Sequence, residues 1–99
     1  MKATTMAEFE QTLKTSEVVV LDVREDDEFA NGHIEGAQSL PLSVLSENLA
    51  ELNKDTAYHV ICLAGGRSAR ACELLDKEGF EVTNVLGGMS AWRGETVSE

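Results

Sequence analysis

The densest chemistry in the chain lies in residues 58–72, which read Tyr-His-Val-Ile-Cys-Leu-Ala-Gly-Gly-Arg-Ser-Ala-Arg-Ala-Cys. An apolar β-type run over residues 58–61 delivers Cys62, Gly65-Gly66 turn the chain, and Arg67, Ser68 and Arg70 open a helical pattern. A strand, a glycine turn and a helix N-terminus aim backbone N–H groups at one spot. Cys62 stands at the lip of that ring, where the amides, the helix dipole and a neighbouring arginine favour the thiolate. Cys62 is therefore the candidate nucleophile, and Leu63, Ala64, Gly65, Gly66, Arg67 and Ser68 form the candidate anion-binding loop. The same residues also fit a plain reading, in which the glycines are a strand-to-helix turn and Cys62 a small buried hydrophobe.

Charge singles out the same stretch. The 99 residues carry 18 acidic and 8 basic side chains, a formal net of −10, yet no Asp or Glu falls between Asp55 and Glu73. A positive cradle in an acidic chain suits a small anion better than a polyanion. The acidic balance argues against nucleic acid and against an anionic membrane surface. No apolar run reaches membrane-spanning length and no signal-peptide pattern opens the chain, so a soluble, cytoplasmic protein is expected. Two cysteines ten positions apart do not make a disulfide framework, and His33 and His59 form no zinc-type spacing with them. No metal and no cofactor are expected.

The elements that must position Cys62 follow from periodicity. A short edge strand is expected over residues 2–5, with Thr5 and Glu8 as a capping box for a helix that ends near Thr15. Residues 18–21 are a continuous apolar run, as in a strand buried on both faces, and lead to Asp22 and Arg24 at its C-terminal end. A short acidic helix over 25–30, stopped by Asn31-Gly32, precedes a turn-rich passage and a strand over 37–40. A helix is expected over 43–52, a strand over 58–61, a helix over 67–78 stopped by Gly79, and a strand over 82–86. Residues 89–93 form a last helical turn carrying Trp92, and the polar tail from about residue 94 is expected to fray. Strands alternating with helices predict one three-layer α/β domain over residues 1–99, with a mainly parallel sheet of about five strands.

Four stretches in this order resemble a single-domain rhodanese: Leu21-Asp-Val-Arg24, Gly32-His-Ile-Glu-Gly-Ala37, Cys62 with Gly65-Gly-Arg-Ser68, and Gly87-Gly-Met-Ser-Ala-Trp92. The resemblance spans essentially the whole chain. It implies a sulfurtransferase that carries sulfur as a persulfide on the cysteine opening the loop from Cys62 to Arg67. It further implies thiosulfate or a protein persulfide as the small anionic donor, a thiol or cyanide as acceptor, and room for a sulfur-relay protein as partner. A carrier or interaction module fed by a partner enzyme is the alternative. Phosphatases and arsenate reductases of similar fold have a loop one residue longer, whereas here Arg67 stands five positions after Cys62. A shorter ring fits a sulfur atom better than a tetrahedral phosphate.

The remaining polar residues read as support. Asp22 and Arg24 suit hydrogen bonds that orient neighbouring loops. His33 lies in a glycine-flanked turn, and His59, three positions before Cys62 on a strand, points to the opposite face. Cys72 falls on the core stripe of its helix, a packing position more than a resolving thiol. Arg67 is the expected clamp for a dianionic donor, with Arg70 one turn along as a second candidate.

Overall fold

The computed structural model describes residues 2–99. Its sheet holds five strands: β1 (Lys2–Thr4), β2 (Val19–Asp22), β3 (Gln38–Ser39), β4 (Ala57–Ile61) and β5 (Glu81–Val85). They lie in the order β1-β5-β4-β2-β3, and every pairing is parallel. The helices are α1 (Met6–Thr15), α2 (Asp26–Ala30), α3 (Leu42–Leu45), α4 (Gly66–Lys77) and α5 (Gly88–Ala91), with a 3-10 turn at Leu49–Glu51.

Alternation along the strands sorts the core into two layers. Tyr58, Val60 and Cys62 face one side, with Leu21, Leu45, Ala71, Cys72, Leu75 and Val82, beneath α3 and α4. Ile61 faces the other with Phe9, Val20 and Val85, beneath α1 and α5. The central strands β4 and β2 are apolar on both faces because both are covered, the expected state of a parallel sheet. The α1 capping box forms as expected: Glu8 N–H donates to Thr5 Oγ1 at 3.2 Å, and Thr5 N–H donates to Glu8 Oε1 at 3.0 Å.

Two expectations need correction. The helix over 43–52 is broken into α3 and the 3-10 turn. Asn48 Nδ2 donates to the Val44 carbonyl at 2.8 Å, so its side chain takes the acceptor that its own backbone N–H needs for an α-helical bond. That N–H instead reaches Leu45 O at 3.0 Å. Nor does the exposed segment after Gly94 fray. Val97 and His33 exchange two backbone bonds of 2.9 Å, Glu99 N–H donates to Ala30 O at 3.0 Å, and Trp92 Nε1–H donates to Glu95 O at 3.1 Å. These pairings tie the segment to the turn that follows α2.

Candidate active site

β4 ends beside β2 and β5 in the middle of the sheet, and Cys62 is the first residue beyond it. Cys62 is almost fully buried. The chain then turns through Leu63 and Ala64 to Gly65, whose φ of +114° is backbone that a side chain would strain, and enters α4 at Gly66. That turn brings the Gly65 N–H to 3.0 Å from Cys62 Sγ.

The loop carbonyls are turned away by α5. Met89 N–H donates to Cys62 O at 2.7 Å and Ser90 N–H donates to Leu63 O at 2.8 Å. Within a planar trans peptide the C=O and N–H point in opposite directions. Holding those two carbonyls against α5 therefore aims the N–H groups of Leu63 and Ala64 away from α5. Gly88 makes the docking possible: at φ +56°, a Cβ there would fall on the Cys62 carbonyl oxygen and 2.6 Å from Leu63 O.

Ser68 supports the sulfur from below. Its Oγ lies 3.3 Å from Cys62 Sγ, 3.0 Å from Gly65 O and 2.5 Å from Asn84 Oδ1. A hydroxyl has one hydrogen. With Cys62 as a thiol, S–H donates to Ser68 Oγ and the hydroxyl donates to Asn84 or Gly65. With Cys62 as a thiolate, the hydroxyl turns to donate to sulfur. Burial, the largest single influence on Cys62, opposes ionisation. Hydrogen bonds from the Ser68 side chain and from the backbone of Ser68, Gly65 and Ala64 together outweigh it and hold the thiol below its ordinary range.

Arg67 does not stand free in the cradle. Its Nη1 and Nη2 donate to Glu28 Oε1 at 2.6 Å and Oε2 at 2.9 Å, a bidentate pair across 39 positions of sequence. The Arg67 hydrogen bond holds the Glu28 carboxyl down at about 2 against some desolvation. Residues 56–72 contain no acid, yet the fold brings one in from α2. Arg70 is exposed and lines a groove with Leu42, Glu73, Leu74 and Lys77.

Asp22 and Arg24 are both buried and bound to one another. Arg24 Nε donates to Asp22 Oδ1 at 2.9 Å, and one Arg24 Nη donates to Asp22 Oδ2 at 2.7 Å and to Gly32 O at 2.8 Å. Among the described residues neither hydrogen-bonds to Cys62. His33 stacks on Phe29 with ring centroids 3.7 Å apart, its Nδ1 2.7 Å from Phe29 O. His59 packs beside Phe9, on the side of the sheet away from Cys62, and burial lowers its pKa. Among the described residues no three His, Cys, Asp or Glu side chains converge as a metal site, and no helix is long and apolar enough to cross a membrane.

Four participating residues carry little or no sequence signal. Glu28 gave no sign, being distant in sequence. The N–H groups of Met89 and Ser90 are backbone, although Gly87-Gly88 did point to a close approach. Asn84 left the clearest trace, a polar residue two positions from Val82 and so on the same face of its strand.

Residues 5–95 match the Rhodanese-like domain family. The chain belongs to the rhodanese-like family. It is 45% identical over 80 residues to the putative sulfurtransferase YtwF of Bacillus subtilis, covering 81% of this chain and 78% of that protein. It is 34% identical over 83 residues to the thiosulfate sulfurtransferase GlpE of Shewanella oneidensis, covering 83% and 82%. A crystal structure of a rhodanese-like domain protein from Staphylococcus aureus superposes with a TM-score of 0.93 at 38% identity, covering 100% of this chain and 99% of that one.

Proposed function

We propose that this rhodanese-like chain is a sulfurtransferase in which Cys62 carries sulfane sulfur as a persulfide. The observation that carries the reading is the Cys62 thiol, almost fully buried yet held below the ordinary thiol range by N–H and O–H donors rather than by a base. The names of its relatives support sulfur transfer.

In the first half-reaction the Cys62 thiolate attacks the outer sulfur of a donor such as thiosulfate. The new S–S bond forms as the bond to the sulfonyl sulfur breaks, and sulfite leaves with the bonding electron pair. The persulfide inherits the negative charge and the N–H groups that held the thiolate, which stabilise it as an oxyanion hole does. In the second half-reaction a thiol or cyanide attacks the outer sulfur and returns Cys62 as thiolate. No proton transfer is needed on the enzyme in the first step, and among the described residues the hydrogen-bond partners of Sγ are Ser68 and Gly65, neither of them a base. Two half-reactions through one covalent intermediate give ping-pong kinetics. We assign the reaction to the cytoplasm, which two free cysteines suit.

A carrier fed by a partner enzyme is the second reading. It is favoured by Leu63, exposed beside the nucleophile, and by Leu86, exposed at the end of β5. The reduced protein incubated with thiosulfate and no acceptor should gain the mass of one sulfur, about 32 Da, as a covalent intermediate. The gain should vanish in Cys62→Ser and survive in Cys72→Ser. No gain from thiosulfate, with gain from a cysteine desulfurase, would turn the assignment to the carrier. A gain that survives in Cys62→Ser would end both.

A further inference from the structure

Resting on that sulfur-transfer reading, we propose that Glu28 sets donor specificity by charge, selecting against the thiosulfate dianion and for donors that present a single negative charge at the sulfane sulfur. The loop's own side chains supply one cation. Leu63 and Ala64 carry none, and Arg67 is bound at both nitrogens by the Glu28 carboxylate. Arg24, the arginine of the neighbouring loop, is buried against Asp22 and the Gly32 carbonyl. The backbone N–H groups that remain are matched to one negative charge, that of the thiolate or persulfide itself.

Glu28 is also anchored from behind. Its Oε1 accepts the Glu25 N–H at 3.0 Å in the capping arrangement of α2. It cannot follow Arg67 into the cradle without uncapping that helix. The Arg67 hydrogen bond holds its carboxyl down at about 2, so the group is ionised near neutral pH. A dianionic donor therefore meets either a neutralised arginine or an uncovered carboxylate. A monoanion, such as a thiosulfonate or a persulfide on a protein thiol, needs neither group to move. The rival role for the pair is mechanical, with Glu28 simply fixing the direction of Arg67.

The two roles separate when two donors of the same chemistry and different charge are compared. Thiosulfate is a dianion that releases sulfite. Benzenethiosulfonate is a monoanion that passes the same sulfane sulfur to the Cys62 thiolate and releases benzenesulfinate. The measurement is the rate of persulfide formation on Cys62 by intact mass, without acceptor, in wild type and Glu28→Gln. Gln keeps an oxygen for the Glu25 N–H. Selection by charge predicts that the thiosulfate rate rises about three- to fivefold in Glu28→Gln, the upper end of the scale of a partly exposed ion pair. The benzenethiosulfonate rate should change less than about twofold, because a monoanion needs no second cation. Equal changes for both donors, in either direction, would overturn the specificity role and leave sulfur transfer standing. Loading from neither donor in either protein would remove the sulfurtransferase reading and the specificity role with it. If Glu28→Gln fails to fold, Glu28→Asp, whose shorter chain withdraws the carboxylate from Arg67, should shift the ratio the same way by a smaller factor. An unchanged ratio there would overturn the proposal.

Discussion

Cys62 and Cys72 are the same residue type at the same depth, 1% and 0% exposed, and both face the layer beneath α4. Their acidities diverge. Burial, Asp76 and Cys62 push the Cys72 thiol up to about 12, whereas Cys62 lies below the ordinary range. Burial raises both, so depth does not make the difference. What differs is the backbone. Cys72 sits inside α4, where every nearby N–H is already spent on the helix ladder. Cys62 sits where the ladder of a strand has ended and that of a helix has not begun, and the unspent N–H groups converge on its sulfur. The lowered thiol pKa at Cys62 follows from chain geometry together with the Ser68 hydroxyl, not from depth.

The sharpest way to break this contrast is to remove the sulfur itself. Cys62→Ser should abolish persulfide formation while the protein keeps its fold, and Cys72 should not take over. Persulfide appearing on Cys72 in that variant, seen by peptide mass, would show that the helix interior is as reactive as the loop.

Gly88→Ala should come next. Its Cβ meets backbone carbonyls rather than a yielding side chain, so α5 must lift away from the loop. A loss of about 2–4 kcal/mol in denaturant unfolding is expected, from backbone strain and overpacking together. Persulfide formation should fall with it as the loop carbonyls turn back. Wild-type stability in Gly88→Ala would mean that α5 does not set the loop.

Ser68→Ala narrows the contrast without rearranging the backbone. The thiolate form loses its hydroxyl donor, and in the thiol form Asn84 Oδ1 or Gly65 O loses that hydroxyl. The Cys62 pKa should move upward and the neutral-pH alkylation rate drop about tenfold, the scale of one hydrogen bond to a charged group. An unchanged rate would leave the backbone N–H groups as the whole cause.

Cys72→Ala should have the smallest effect on transfer and a measurable one on stability, a loss of about 1–2 kcal/mol for a small core cavity. The linkage sign differs between the two thiols. Cys72 keeps its proton in the fold, so its contribution is intact below the unfolded thiol value and is lost as pH rises toward about 12. Cys62, with a depressed folded value, contributes increasingly as pH rises through that value, and fully above the unfolded one. Denaturant unfolding at alkaline pH should therefore fall off less steeply in Cys72→Ala than in wild type.

Much of this was readable along the chain because it depends on local order. The apolar runs at 18–21 and 58–61 and the stretch at 82–86 mark strands, the first of them with the continuous apolar pattern of a strand buried on both faces. Cys62 followed by Gly65-Gly66 marks a strand-to-helix turn without any tertiary information. The capping box at Thr5 and Glu8 was equally local. The break in the helix expected over 43–52 is not legible from its apolar spacing, which is sound, because it coincides with a side-chain bond from Asn48 to the Val44 carbonyl. The docking of Val97 on His33 and the pairing of Glu28 with Arg67 join residues far apart in sequence, and composition within a window carries no signal of either. The second matters most, since it turns the expected anion clamp into half of an ion pair.

The central claim is that loop geometry, not depth, makes Cys62 the reactive thiol. It is tested most directly by alkylating native wild-type protein with iodoacetamide across a pH series and mapping the label to each cysteine by peptide mass. Labelling should fall on Cys62 with a midpoint below the ordinary thiol range, while Cys72 stays unlabelled until the protein unfolds. Equal labelling of the two cysteines, or a Cys62 that reacts only above the ordinary thiol range, would contradict the account.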